Sequence, residues 1–450
     1  MRILLISSNT EVSPYPVYPL GMGIIANALT TAGHDVRQID FLQRGASLDS
    51  MGQEISVFNP ELIGISIRNI DNVNLVNERY YMGAVQDIVQ KIRKLSTARV
   101  ILGGAGFSLM PDLILRETGA DYGIVGEGER LIVDFVKNAE TGMYPDKTLF
   151  GPLRTRDDEE IRSAAYDEQL LAYYLKSGNI MSVQTKRGCP HQCVYCTYPL
   201  LEGSHLRARK AASVVDDIEL LRDRYNAKHL FFVDSIFNDD EGYYLKLMEE
   251  MMRRKVNIRW TAFFKPDGLN EEAVELMKNA GLAGAEIGAD AASDVTLKKM
   301  GKRFTVQDII ACNDLFYKYG INSSNSFMFG GPGETEETVV EGIKNIQSLH
   351  KALNFIFMGI RILPNTPLAR IAVREAIIPT DSDILKPVYY ISPAVDKEWL
   401  KTTLTAAFKN TRHCIFPPDA IDNILMILHK MSYNGRLRNK LIPDINEQRA

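Results

Sequence analysis

Short apolar runs bounded by polar turn residues recur along most of the chain, and each is followed by an amphipathic stretch; this alternation restricts the fold more than any other feature. Ile3–Ile6, Leu62–Ile67, Val100–Leu102 and Tyr122–Val125 read as buried strands, with Gly21–Ala32, Glu78–Leu95, Pro111–Thr118 and Leu131–Ala139 as the helices between them. Strands apolar on both faces and separated by helices belong in a parallel sheet covered on both sides. Residues 1–142 are therefore expected to form a doubly wound, Rossmann-like α/β domain. Residues 143–180 break the pattern with Pro145, Gly151-Pro152 and the charged run Arg154–Glu160, and read as a linker with one helix.

From Met181 the alternation resumes, with strands expected at Met181–Thr185, His229–Val233, Ile258–Phe263, Gly284–Gly288, Asn325–Phe329 and Phe355–Leu363. Such a run of strand–helix units over residues 181–378 predicts a partial (β/α)6 barrel, TIM-like, whose working residues lie at the C-terminal ends of the strands. Residues 379–450 read as a mixed, helical C-terminal region, with helices at Lys397–Phe408 and Asp419–Met431. The aromatic residues Tyr198, Phe237, Trp260, Phe263 and Phe264 fall at strand ends, where they line a cavity or simply fill the core.

The first strand of the second half runs into Gly188-Cys189-Pro190-His191-Gln192-Cys193-Val194-Tyr195-Cys196. Three of the five cysteines crowd here, which argues for a thiolate metal site in a reducing compartment over a disulfide framework. The Cys-x3-Cys-x2-Cys spacing gathers soft ligands of the kind that iron–sulfur clusters and zinc prefer. Three thiolates leave one iron of a cubane open for chemistry. The alternative is a structural zinc site with His191 or His205 as fourth ligand, although zinc ribbons usually use two separated cysteine pairs. Cys312 and Cys414 stand alone and read as small buried hydrophobes.

With an aromatic, Tyr195, just before its last cysteine, this motif resembles the radical S-adenosylmethionine (SAM) superfamily. The resemblance implies a 4Fe–4S cluster on Cys189, Cys193 and Cys196, SAM chelating the open iron, and a 5′-deoxyadenosyl radical. It extends through Phe232-Val233-Asp234-Ser235, Glu286-Ile287-Gly288-Ala289-Asp290, Phe329-Gly330-Gly331-Pro332-Gly333-Glu334 and Arg361-Ile362-Leu363-Pro364. SAM contacts are accordingly expected at Tyr195, Asp234, Ser235, Glu286, Asp290, Gly330, Gly331 and Arg361, with Glu286 a barrel-interior residue in the alternative.

A doubly wound domain ahead of such a barrel resembles the cobalamin-binding branch of that superfamily, as does Pro19-Leu20-Gly21-Met22-Gly23 after the first strand. Ligands of a doubly wound sheet sit beyond the strand C-termini. Cobalamin contacts are thus expected from Ser8, Asn9, Tyr18, Pro19 and Leu20, from Ser66, Arg68 and Asn69, from Gly103, Gly104, Gly106 and Phe107, and from Gly126, Glu127 and Gly128. A dinucleotide is one alternative, but its Gly-x-Gly-x-x-Gly fingerprint belongs where this chain reads Ser7-Ser8-Asn9; a degenerate domain that holds no ligand is the other. The domain's one histidine, His34, is outside any Asp-x-His-x-x-Gly pattern, so no protein imidazole is expected on cobalt, and Arg68 and Asn69 are candidates for its lower face.

Together these likenesses imply a cobalamin-dependent radical SAM methyltransferase acting on an unactivated carbon of a small or lipid-like substrate, with a ferredoxin or flavodoxin as electron donor. Cyclisation or rearrangement without methyl transfer is one alternative; a cluster-binding protein without SAM chemistry is another. The formal net charge is −4 and the basic residues are dispersed, so nucleic acid is not an expected partner. The opening apolar run, Met1–Ile6, is too short for a signal peptide or membrane span, and a cytoplasmic enzyme is expected.

Overall fold

Two parallel sheets carry the chain, as a computed structural model shows for residues 1–144, 148–150, 161–380 and 382–422. The described residues divide into two compact units. One comprises Met1–Asn72, Arg79–Lys176 and Thr197–Arg207; the other comprises Val73–Glu78, Ser177–Cys196 and the described chain from Ala208 onward.

The first unit is built on β1 (Arg2–Ser7), β2 (Asp35–Asp40), β3 (Leu62–Ser66), β4 (Arg99–Gly103), β5 (Tyr122–Val125) and β6 (Thr148–Phe150), in the order β2-β1-β3-β4-β5-β6. All pair in parallel. The order reverses between β1 and β3, so the loops after Ser7 and Ser66 open on either side of the switch point where such sheets take their ligands. Strand β2 and the helix Leu48–Phe58 were not expected from the sequence. Asp-Val-Arg-Gln-Ile-Asp has one apolar residue in three, as suits a strand at the sheet edge; the helix starts at Ser47, whose side chain accepts from Ser50 N–H. The helix expected from Glu78 begins at Met82.

Asp40, at the end of β2, is fully buried and accepts from Gln43 N–H at 2.8 Å. Burial raises its pKa, and hydrogen bonds from Ser7 and Gln43 offset only part of that. The neutral acid is therefore the form the fold prefers. The stability it contributes is complete below the unfolded pKa and is lost as pH rises through the folded value. Asp40→Asn is expected to melt higher than the parent near neutral pH and to converge with it in acid. Equal melting temperatures near neutrality would contradict this.

In the second unit β7 (Ile180–Val183), β8 (His229–Phe232), β9 (Arg259–Phe264), β10 (Leu282–Asp290), β11 (Asn322–Phe329), β12 (Leu353–Met358) and β13 (Cys414–Ile415) lie side by side in chain order, all parallel. Trp260, Ala262, Phe264, Ile287 and Phe327 are almost wholly hidden on one face, and Phe264 packs on Phe316 of the helix Val306–Lys318. Phe237, Trp260 and Phe264 are thus core, whereas Phe263, on the opposite face, is 45% exposed.

The hidden face also carries a polar ladder. Asn313 donates to Asn325 at 3.1 Å, Asn325 donates to Asn354 at 2.8 Å, and Ser323 donates to Asn313 at 2.7 Å. Asn354 in turn donates to the Leu349 carbonyl. A buried amide is tolerated only where its partners stand opposite, so the ladder ties helix, β11 and β12 to one register.

The expected strand Phe355–Leu363 ends at Met358, because Gly359 takes φ +71 and redirects the chain; Ile360–Arg361 then pairs antiparallel with Tyr389–Tyr390. The helix Lys397–Phe408 forms as expected, capped by Asp396. Most of Asp419–Met431 lies outside the described residues, as do Pro145, Gly151-Pro152 and Arg154–Glu160. Among the described residues no helix is long and apolar enough to cross a membrane.

Candidate functional site

The three-cysteine loop is held from below by an ionic brace. Asp234, just past β8, accepts from the main-chain N–H groups of Thr185 (2.7 Å) and Lys186 (3.2 Å) and from the Thr185 hydroxyl. Lys186 Nζ lies 2.9 Å from Asp239 and 3.7 Å from Asp234 and donates to the Phe237 carbonyl at 2.8 Å. Lysine and both carboxylates are buried. Burial raises the Asp234 carboxyl despite the neighbouring ammonium, which lessens the negative charge facing one lysine. Ser235 donates to the Gly188 carbonyl at 2.8 Å, the residue before Cys189, and Gly188 itself takes φ +90. Asp234 and Ser235, both expected to meet SAM, make these bonds to the loop.

From the other side the loop is stapled to the segment after the helix Asp294–Lys299. Val194 N–H donates to the Met300 carbonyl at 3.0 Å, and Leu368 N–H to the Val194 carbonyl at 2.8 Å. Gly301 takes φ +78, and a Cβ there would stand 2.6 Å from the Gln192 carbonyl oxygen. Gly301→Ala is expected to cost about 1–3 kcal/mol from the left-handed backbone and the forced shift. Iron and sulfide bound per chain should fall measurably; full loading would contradict the staple.

Lys302 follows at once, and the sequence reading missed it. Its ammonium pairs with Asp290 and lies 3.0 Å from Cys193 Sγ and 3.2 Å from the Tyr195 hydroxyl. Burial is the largest single influence and opposes its charge, but Asp290, Tyr195 and Cys193 together outweigh it and hold the ammonium well above the ordinary lysine range. Tyr195 is driven up mainly by burial. Asp290 adopts φ +62, a conformation unusual outside glycine and asparagine, where the β10–β11 register also slips. Gly301 could have been recognised as a helix-terminating glycine; nothing in the sequence pattern marked Lys302.

Burial pushes the Cys189 thiol up, partly offset by the His191 N–H and by Lys302. The zinc alternative needs thiolates and a histidine to converge on one ion. Among the described residues no group of three or more His, Cys, Asp and Glu side chains is arranged to hold a metal ion. A cubane makes a different demand, since each thiolate caps its own iron. A braced loop with three cysteines and an adjacent cation fits an anionic cluster.

The remaining expected SAM residues are spread over several tasks. Glu286 accepts from the Ser324 hydroxyl, and β9–β10 register sets it beside Phe263, on the face opposite the hidden core. Phe231 meets Phe263 edge-on at 5.0 Å. Gly330 takes φ +95 against Ile391, and Gly331 packs on Thr296. Both donate their N–H groups to Glu334, whose carboxyl burial pushes up to about 7, with those N–H groups pulling the other way. Arg361 gives hydrogen bonds to the carbonyls of Ile362, Ile384 and Leu385.

In the first unit the expected ligand residues gather at the C-terminal ends of β1, β3, β4 and β5. Ser8 bonds to Ser66, Asn9 to the Glu11 main chain, and Arg68 and Asn69 are exposed. A Cβ on Gly103 or Gly126 would meet nothing closer than 3.8 Å, leaving an open cradle. Gly104 and Gly106 instead let their loop close on Ile67 and Arg68, and Gly128 packs on Ile25. Glu127 pairs with Arg207. Tyr18 and Phe107 are buried, Tyr18 between Tyr166 and Tyr174, both rings at 5.5 Å. Pro19 and Leu20 open the first helix. Glycine-cleared backbone with exposed polar residues around a switch point fits a large, amide-fringed ligand.

Comparison with known proteins agrees with both halves. A model of the radical SAM superfamily matches residues 183–346, and a B12 binding domain model matches residues 6–136. The tryptophan 2-C-methyltransferase of Streptomyces laurentii is 24% identical over 448 residues, covering 82% of this chain and 74% of that protein. The radical SAM methyltransferase TsrM from Kitasatospora setae, solved with tryptophan and a SAM analogue, superposes with a TM-score of 0.84 at 23% identity over 100% of this chain and 98% of that one. Its form with cobalamin and a 4Fe–4S cluster gives 0.82 at 24% identity, over 99% of each chain. At this identity the superpositions establish a shared fold.

Proposed function

From a chain that is a radical SAM protein with a B12-binding domain, we propose a cobalamin-dependent SAM methyltransferase that places a methyl group on an unactivated carbon of a small molecule. The observation that carries the reading is the pairing, in one chain, of a braced three-cysteine loop at a barrel strand's C-terminal end with a glycine-cleared switch point in a doubly wound sheet. When bound, the cluster supplies the electron that cleaves SAM, and cobalamin carries the methyl group.

The protein's own task is to place these groups and the substrate. Cys189, Cys193 and Cys196 hold the cluster, and Asp234, Ser235 and Lys186 fix their loop. Gly103 and Gly126 give the corrin room, with Arg68 and Asn69 nearby in sequence at the β3 loop. The inner barrel face offers the edge-to-face rings of Phe231 and Phe263 beside the Glu286 carboxylate and Ser324 hydroxyl. Such a surface suits a compact substrate with a flat apolar body and a hydrogen-bond donor better than a pure hydrocarbon lipid. Tryptophan, named for the Streptomyces relative, has that chemistry. A low-potential ferredoxin or flavodoxin is the electron donor of this reading.

The test is anaerobic purification with cluster and cobalamin, followed by incubation of cell extract with methyl-labelled SAM. A labelled small-molecule product is expected. Formation of 5′-deoxyadenosine without any labelled product would replace methyl transfer by cyclisation or rearrangement.

A further inference from the structure

We propose that Lys302 is an electrostatic positioning residue that raises the reduction potential of the cluster held by Cys189, Cys193 and Cys196. The proposal rests on assigning those cysteines to a cluster, and on nothing about the substrate.

The geometry singles out one charged group. Lys302 Nζ lies 3.0 Å from Cys193 Sγ, within reach of an N–H···S hydrogen bond. It is anchored by Asp290, bonded to the Tyr195 hydroxyl and placed over the Tyr195 ring at 5.2 Å. Its side chain is 8% exposed, so solvent screens it little. The main chain leaves it small freedom to move away, because Met300 and Gly301 are pressed against Val194 and Gln192 of the cysteine loop. The ammonium, and not the carboxylate of Asp290, touches the sulfur.

The sign of the effect follows from charge. One-electron reduction, by a low-potential donor, adds one negative charge to the cluster and its thiolates. A fixed cation at a ligand sulfur stabilises the reduced form more than the oxidised one. Hydrogen bonds to cluster sulfurs and local net charge are known levers on such potentials. Lys302 therefore makes the cluster easier to reduce than the three cysteines alone would.

The experiment is a redox titration of the full chain, reconstituted anaerobically, without SAM or substrate, reading the spin signal and visible absorbance of the cluster. Lys302→Met and Lys302→Gln remove the charge; Lys302→Arg keeps it. Both neutral variants are expected to shift to more negative midpoints, so that a smaller fraction of the cluster is reduced at any fixed potential, while the arginine variant stays near wild type. An unchanged midpoint in a neutral variant that holds a cluster overturns the proposal. If neither neutral variant holds a cluster, whether or not the arginine variant does, Lys302 serves assembly of the site and the proposal is overturned. Wild-type protein that takes up no cluster would sink the proposed function as well, whereas a loaded protein that methylates nothing would leave the midpoints readable and defeat the function alone.

Discussion

Cys193→Ala is expected to strip the purified chain of its thiolate-to-iron absorption and to abolish the methylated product, while the corrinoid spectrum persists. Cys193 is the central cysteine of the motif and the one in contact with Lys302, so on the proposed assignment its loss removes a cubane ligand, and it leaves a buried ammonium without its sulfur partner. Retention of cobalamin is expected because the B12-binding unit has its own sheet and its own buried strands. Iron and acid-labile sulfide per chain, measured beside the corrinoid absorbance, separate the two cofactors. An intact cluster in the alanine variant, or stoichiometric zinc in the wild type, would overturn the assignment.

Lys186→Met should be the most destabilising single change in the second unit. The lysine is 1% exposed and faces Asp239 and Asp234, both hidden from solvent. Removing one partner of a buried ion pair leaves an uncompensated charge and costs about 3–5 kcal/mol, a large share of the roughly 5–15 kcal/mol that holds a typical domain folded. Urea titration of the cofactor-free chain should show the loss as a lower midpoint. Adding Asp239→Asn should recover much of it, since the carboxylate left stranded by the first change is gone. A double variant no better than Lys186→Met would show that the lysine acts through packing alone.

What could be read from the sequence followed its periodicity. Strands such as Ile3–Ile6 and His229–Val233 are apolar on both faces and punctuated by turns, so they were legible; β2 was not, because Asp35, Arg37 and Gln38 dilute the signal of an edge strand. The cysteines were legible because their spacing is itself chemistry. Lys302 was not, since its meaning depends on a main-chain contact between Gly301 and Gln192, more than a hundred residues earlier in the chain. Asp234 was placed correctly at a strand end, but its role depends on Thr185 and Lys186 arriving beneath it, which no local pattern announces. Phe263 and Phe264 are adjacent and chemically alike. Only the strand pairing, which puts Phe263 beside Glu286 and sends Phe264 into Phe316, tells the open face from the core.

The asparagine ladder on the hidden face of the barrel separates two kinds of mutability. Asn313, Asn325 and Asn354 fix how β11 and β12 lie against their helix without spending any residue on the inner face. Positions such as Phe231, Phe263 and Ser326 can then drift, or be randomised in a library, while strand register is kept by amides on the opposite side. A laboratory search for new specificities should accordingly leave the ladder alone and concentrate its diversity on the inner face, which the proposed function gives to the substrate and on which strand register does not depend.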